Sequence, residues 1–282
     1  MVRTPEDEEF EEADGILSEL RRKAETGDSD LPWGDCLERS WHDGTLRVTR
    51  SYASSSAAVP EVVIQEFPYS AHPCSGVGGT GGLVWRGALA LAEFLGEQHE
   101  LLANAQVIVE IGAGCGLPGL AAAAQLAAQH SPGVKQVILT DGPEAVVQNL
   151  AANVAANSER LKPVHLRAEK LVWEELLAGI SPPPVEAVDL LIGSDVIWGD
   201  RGSLVAEVAL RLVRPGGALV ISAQKGREGL DIFQEMLRSP VTSDAGFKIE
   251  VKELTYQGEE FQIFVGFRGL EVQPSAAAAP DV

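Results

Sequence analysis

The chain is poor in the features that bind a phosphate backbone, cross a membrane or build a disulfide framework. Of its 282 residues only 22 are Lys or Arg, against 41 Asp or Glu, a formal charge of −19. Nucleic-acid contact needs clustered cations that displace counterions, so no nucleic-acid partner is expected. The same charge steers a basic partner towards the surface. Cys36, Cys74 and Cys115 form no C-x-x-C pair and no Cys/His ligand spacing, so neither disulfides nor a metal site are indicated. No apolar run reaches the ~20 residues of a membrane span. The opening MVRTPEDEEFEEAD lacks the apolar core of a secretory signal and is too acidic for a transit peptide. A cytoplasmic location, with the nucleus also open, is the expectation. The five histidines are scattered, and Ser194-Asp195 has none nearby in sequence, so no hydrolase triad is read.

What is present is a core-forming pattern. Hydrophobic residues make up 45% of the chain, enough for one large α/β domain. Residues 1–40 read as an acidic arm, partly helical or mobile, in which Phe10, Ile16, Leu17 and Leu20 could share a helix face. Residues 41–270 read as the domain, and 271–282 as a low-complexity, disordered tail. Within the domain, TLRVT and EVVIQEF alternate as two strands, and VWRGALALAEFLGEQHELL reads as one helix. QVIVEI, QVILTD, PVHLRAEKL, AVDLLIGSDV and ALVISAQ then read as strands separated by helices, with Pro215-Gly216-Gly217 stopping the helix before the last of them. Short apolar strands alternating with helices predict a parallel sheet covered on both faces. KIEVKELTY and FQIFVGFR have no helix between them, so that edge is an antiparallel hairpin.

The densest signal is EIGAGCGLPG, residues 110–119, directly after an apolar strand. Gly112, Gly114, Gly116 and Gly119 lie where such sheets bind ligands, beyond a strand's carboxyl end. Gly114-x-Gly116-x-x-Gly119 satisfies the dinucleotide fingerprint, so two ligands compete: paired phosphates, or the amino-acid part of S-adenosylmethionine. Glu110 favours the second, since an acid there would clash with pyrophosphate but can serve an ammonium or sulfonium through water. Asp141 ends the next strand, where a carboxylate can accept both ribose hydroxyls of either nucleoside. It could also cap the helix that follows.

The runs GGTGGLVWRGALALAEFL, VIVEIGAGCGLPGLAAA, VILTDGPEAVVQNLAANVAAN, LVWEEL and DLLIGSDVIW, in that order, resemble the family 16 (lysine methyltransferase 21-like) protein methyltransferases. The resemblance covers roughly residues 76–225. It implies a seven-strand Rossmann-like methyltransferase sheet with helices on both faces, an antiparallel C-terminal hairpin and a short N-terminal extension. It implies S-adenosylmethionine as cofactor, with Trp85 flanking its methionine end, Gly112, Ala113, Gly114 and Gly116 lining it through backbone, and Glu110 behind. Asp141 would hold the ribose, Trp173 would lie against adenine, and Ser194 just inside the pocket. It further implies a protein substrate, such as a translation factor or a chaperone, and the acidic surface would suit a basic segment of it.

Family members usually end the fourth strand in D-x-x-Y; here it is Asp195-Val196-Ile197-Trp198. Methyl transfer is an in-line displacement at sulfur, and the attacking amine, with an ordinary pKa of ~10.4, must be neutral and oriented. Asp195 is expected to receive the amine. Trp198 is expected to wall the methyl channel and attract a methylammonium by its π face, a contact of ~0.5–2 kcal/mol. Asp195 could instead cap a helix beginning near Gly199. The leading reading is a protein-lysine N-methyltransferase. A non-catalytic cofactor-binding or interaction module, a small-molecule methyltransferase and a dehydrogenase stand as alternatives.

Overall fold

The computed structural model describes residues 38–42, 45–70, 80–129, 135–238 and 246–269. The N-terminal helical pattern, the loop before Thr80 and the Ala-rich tail lie outside these residues. Three strands come first, β1 (Glu38–His42), β2 (Thr45–Tyr52) and β3 (Val62–Ser70), joined as an antiparallel sheet in that order. β1 starts at Glu38, so the boundary at residue 40 falls inside a strand that the sequence pattern did not reveal.

The second sheet has seven strands: β4 (Val107–Glu110), β5 (Gln136–Asp141), β6 (His165–Lys170), β7 (Val188–Ser194), β8 (Val213–Gln224), β9 (Phe247–Tyr256) and β10 (Glu259–Arg268). Their order is β6-β5-β4-β7-β8-β10-β9. The first five are mutually parallel, while β10 pairs antiparallel with both β8 and β9. The chain leaves β4 in one direction to β5 and later returns to β4's other side with β7. That reversal opens a crevice at the carboxyl ends of β4 and β7.

Alternate residues of each strand feed two hydrophobic layers. Ile108, Leu139, Ile192 and Val220 pack with α1 (Arg86–Glu97), α3 (Leu117–Ala128) and α4 (Glu144–Ser158). Val109, Ile138, Leu191 and Ile221 pack with α6 (Arg201–Leu212) and α7 (Leu230–Arg238). Strands buried on both faces explain the continuous apolar runs in the sequence.

Two elements depart from the sequence reading. The helix expected over residues 84–102 is α1 followed by a separate α2 (His99–Asn104), because Gln98 takes φ −93°, ψ 51° and breaks the hydrogen-bond ladder. β8 starts at Val213 rather than after the Pro-Gly-Gly, which it absorbs where its register with β7 shifts between Val188 and Leu190.

The small sheet is tied to the large domain by a polar ladder. Asn149, Asn153 and Asn157 recur every four residues on one face of α4 and meet the open edge of β3. Asn157 accepts from Val63 N–H (2.9 Å) and donates to Val63 O (2.7 Å), and Asn153 accepts from Gln65 N–H (2.8 Å) and donates to Gln65 O (3.0 Å). Asn149 also donates to Gln65 O (2.8 Å). The side chains act as a substitute strand and cover an edge that would otherwise be sticky.

Candidate active site

β4 ends on Glu110, and the chain then turns through Gly112 (φ 57°), Gly114 (φ 54°) and Gly116 (φ 83°) into α3. Backbone bonds lock this turn to both neighbouring strands: Ile111 N–H to Ile192 O (3.0 Å) and Ala113 N–H to Thr140 O (2.9 Å). Thr140 Oγ1 also donates to Glu110 O at 2.7 Å. At Gly112 a side chain would need left-handed backbone and would put its Cβ 2.6 Å from Val196 Cγ1. The same Cβ would lie 3.5 Å from Trp173 Cζ2, which places the Trp173 ring beside the turn.

Glu110 is fully buried, and its Oε2 accepts the N–H of Gly119, in the first turn of α3, at 2.9 Å. That N–H belongs to the helix end that holds pyrophosphate in a dinucleotide site. Here the chain's own carboxylate takes it. Oε1 has no hydrogen-bond partner among the described residues. Burial pushes the Glu110 carboxyl well above the ordinary range; the Gly119 N–H opposes this, and the charge of Asp141 adds to it.

Asp141 closes β5, the neighbouring strand. Its Oδ2 accepts from Gly114 N–H and its Oδ1 from Gly142 N–H, both at 2.8 Å. It therefore clamps the glycine turn, and each oxygen keeps a second lone pair for a ligand hydroxyl. Burial raises its pKa against those two N–H groups. It does not occupy the N-cap of α4; that position is Pro143. Three residues beyond the end of β6, α5 (Trp173–Leu177) begins with Trp173, half-buried against the apolar layer that contains Val196. Leu171 N–H bonds Asp141 O at 2.9 Å, which brings the start of α5 alongside the Asp141 corner.

On the other side of β4, Ser194 ends β7 in register with Ser222 of β8. Asp195 follows with φ 51°, a left-handed conformation rare for a residue with a side chain, and its N–H bonds Ser222 O at 2.9 Å. Such strain concentrates at functional positions. Asp195 Oδ1 is buried and without a partner among the described residues. Burial raises the Asp195 pKa, while Arg227 and the N–H groups of Gly87 and Gln224 pull it back. The N-cap of α6 is Asp200, so Asp195 is not a helix cap.

Trp85 occupies the N-cap of α1, its carbonyl accepting from Ala88 and Leu89 N–H at 3.0 and 3.2 Å. The segment before it lies over the glycine turn, with Gly81 O 3.7 Å from the buried Cys115 Sγ. Trp198 is half-buried, and one of its faces carries the Arg201 guanidinium, 4.6 Å from the ring centroid. Arg201 also lies 6.0 Å from the Trp173 ring and 3.7 Å from Glu174.

The nine positions expected to hold cofactor, with Asp195 and Trp198, sit along the carboxyl ends of β4, β5, β6 and β7 and on α1's first turn. Sequence reasoning missed Arg201, although it stands one helical turn after Trp198. It also missed Gly87, where a Cβ would lie 2.0 Å from Asp195 Oδ2, and Ser222, whose Oγ donates to Gly87 O at 3.0 Å. Gly87 carries no local signal, since its contact partner is more than 100 residues away.

The strand order, the antiparallel last pair and the guarded glycine turn define a class, the seven-strand Rossmann-like methyltransferases. The donor set suits S-adenosylmethionine: acids at Glu110 and Asp141, bare backbone between them, an indole alongside and a helix end closed to phosphate. A family model described as lysine methyltransferase matches residues 74–239. The chain belongs to that lysine methyltransferase family, and its cofactor is S-adenosylmethionine. It is 29% identical over 200 residues to the protein N-terminal and lysine N-methyltransferase EFM7 of Yarrowia lipolytica, covering 62% of this chain and 68% of that one. It is 29% identical over 171 residues to the protein-lysine N-methyltransferase EFM3 of Chaetomium thermophilum, covering 56% and 47%. With the protein N-lysine methyltransferase METTL21A of Danio rerio it shares 29% over 120 residues, covering 43% and 49%. The chain thus spans about half the length of the latter two relatives. Among solved structures, the O-methyltransferase from Bacillus cereus in complex with SAH aligns over 62% of this chain and 80% of that one, at 18% identity and a TM-score of 0.47.

Proposed function

We propose that this protein transfers a methyl group to the ε-amine of a lysine in a protein substrate, and that Asp195 receives the amine. The cofactor, when bound, supplies a methyl group on a positively charged sulfur. The residues of the chain do the rest. With the cofactor bound, Glu110 would serve the methionine ammonium through water, Asp141 would take the ribose hydroxyls, and Trp173 would lie against the adenine. At the acceptor side, Asp195 Oδ1 is an unused buried acceptor that fits an N–H of the incoming amine. That bond would orient the nitrogen lone pair for an in-line displacement, and the Asp195 carboxylate, or water beside it, would take the amine proton.

The observation that carries this reading is the bond from Gly119 N–H to Glu110, which closes the phosphate seat and leaves a buried carboxylate for a cation. The acidic composition suits a substrate with a basic segment, and a cytoplasmic or nuclear protein is the expected target. EFM7 is named for N-terminal as well as lysine methylation, so α-amines belong in the same screen. The test is incubation with labelled S-adenosylmethionine and a cell extract lacking this protein, followed by mass spectrometry of labelled peptides. Methylated lysines in a discrete protein are the expected result. One observation favours the second reading, a non-catalytic binder: Arg201 already holds a cation on Trp198. Binding of the cofactor with no label in any acceptor would establish that alternative.

A further inference from the structure

One polar cluster lies outside the chemistry above. Arg50 on β2 and Glu66 on β3 are 2% and 1% exposed, and Arg50 Nε donates to Glu66 Oε1 at 2.7 Å. Tyr52 OH donates to the same oxygen at 3.3 Å. The other oxygen, Oε2, accepts the N–H of Val84 at 2.9 Å. Val84 belongs to neither sheet; it lies between the 3-10 turn Thr80–Gly82 and α1, immediately before Trp85.

A buried ion pair is a poor way to hold two strands, since apolar side chains of the same size do as well or better. What apolar side chains cannot supply is a fixed acceptor for Val84 N–H. We propose that Glu66 is a positioning residue for methyl transfer, fixing Trp85 and the first turn of α1 against Asp195 by way of Val84. The proposal rests on the function proposed above. Its route is continuous. Trp85 caps α1, Gly87 follows two residues later, and Gly87 lies so close to the Asp195 carboxylate that a Cβ would overlap it. Ser222 Oγ grips Gly87 O from β8 at 3.0 Å. The first turn of α1 is therefore held from two sides, by Ser222 from the large sheet and by Glu66 from the small one. Release of the second grip lets Trp85 and Gly87 drift, and Gly87 packs directly against Asp195.

Glu66→Ala alone removes the buried carboxylate that pairs with Arg50 and can unfold the chain for that reason. Two double variants of the full chain separate the roles. Arg50→Met with Glu66→Gln removes the charges and keeps a carbonyl for Val84 N–H. Arg50→Met with Glu66→Leu removes the acceptor as well. Thermal unfolding, hydrogen exchange over residues 83–90, calorimetry with S-adenosylhomocysteine and label transfer into extract are measured on both. Both are expected to stay folded, the Leu form unfolding at a somewhat lower temperature because Val84 N–H has lost its acceptor. The Leu form exchanges residues 83–90 at least ten-fold faster, with β4 unchanged, and transfers methyl at least ten-fold more slowly. The Gln form stays within three-fold of the parent in both. Equal exchange and equal transfer in the two doubles overturn the positioning role. A parent that neither binds the sulfide nor transfers methyl refutes the functional reading instead, and exchange over 83–90 still decides whether Glu66 holds the segment.

Discussion

Replacing Glu110 with Gln separates what this carboxylate does for the fold from what it does for the ligand. The amide oxygen can keep the Gly119 bond, so the start of α3 loses no partner. The other atom, now an NH₂, takes the place of an oxygen that is already unpartnered. One unsatisfied buried group replaces another, each costing about 1–3 kcal/mol, so where Glu110 is protonated in both the folded and the unfolded chain the net change in stability should lie within about 1 kcal/mol. The pH dependence has a definite sign. Burial raises the folded-state pKa above its ordinary 4.5, so the folded chain holds this proton longer than the unfolded one. Its stabilising contribution is full below the unfolded pKa and falls as pH rises through the folded pKa, by at most about 1.4 kcal/mol per pH unit. The Gln variant lacks that slope. It should equal or exceed the parent in thermal stability at pH 8 and lose the advantage near pH 4. Binding should move the other way. A hydrogen bond to a charged group is worth about 1.5–3 kcal/mol, so S-adenosylhomocysteine affinity should fall roughly 10- to 150-fold. Calorimetry and thermal unfolding across pH measure both. Unchanged affinity in Glu110→Gln, or a loss of stability well beyond 1 kcal/mol with no change in its pH slope, would refute the reasoning.

Asp195→Asn should abolish label transfer while sulfide binding stays within a few-fold; full transfer in that variant rejects Asp195 as the amine's receiver. Gly112→Ala combines left-handed strain of ~1–2 kcal/mol with overlap on Val196 of ~1–3 kcal/mol, a loss of about 2–5 kcal/mol in denaturant melts. Adding Val196→Ala should recover the overlap share, and a melt that does not improve argues against that contact. Asn153→Ala unpairs Gln65 N–H and Cys115 O at a buried site, so unfolding free energy should fall by about 2–4 kcal/mol. Arg201→Ala uncovers the Trp198 face that the guanidinium holds. If the guanidinium competes with the acceptor, the acceptor KM falls; if it only braces the indole, turnover falls instead, and steady-state kinetics distinguish the two.

The parallel sheet was legible because strands buried on both faces write continuous apolar runs, as in Val107-Ile108-Val109 and Leu190-Leu191-Ile192. The closing hairpin was legible from the absence of a helix between β9 and β10. The insertion of β10 between β8 and β9 was not, since pairing across a sheet leaves no trace in local periodicity. Glu110 and Asp141 stood out because acids at the ends of apolar strands break a pattern. Glu66 did not: it shares the face of Val62 and Ile64, but at the end of EVVIQEF a single acid reads as the close of the alternation, and only the fold shows that this face is buried there. Asp195 could be placed from its motif, but its left-handed backbone shows only in the fold, and its contact with Gly87 depends on a helix more than 100 residues earlier. The helix break at Gln98 and the absorption of Pro215-Gly216-Gly217 into β8 show tertiary context overriding local propensity.

The most direct measurement is calorimetric titration of the full chain with S-adenosylhomocysteine and, separately, with NAD. A turn whose helix end is filled by Glu110 should take up the sulfide at one site and leave the dinucleotide unbound. Tight NAD binding without uptake of the sulfide would contradict the account at its root.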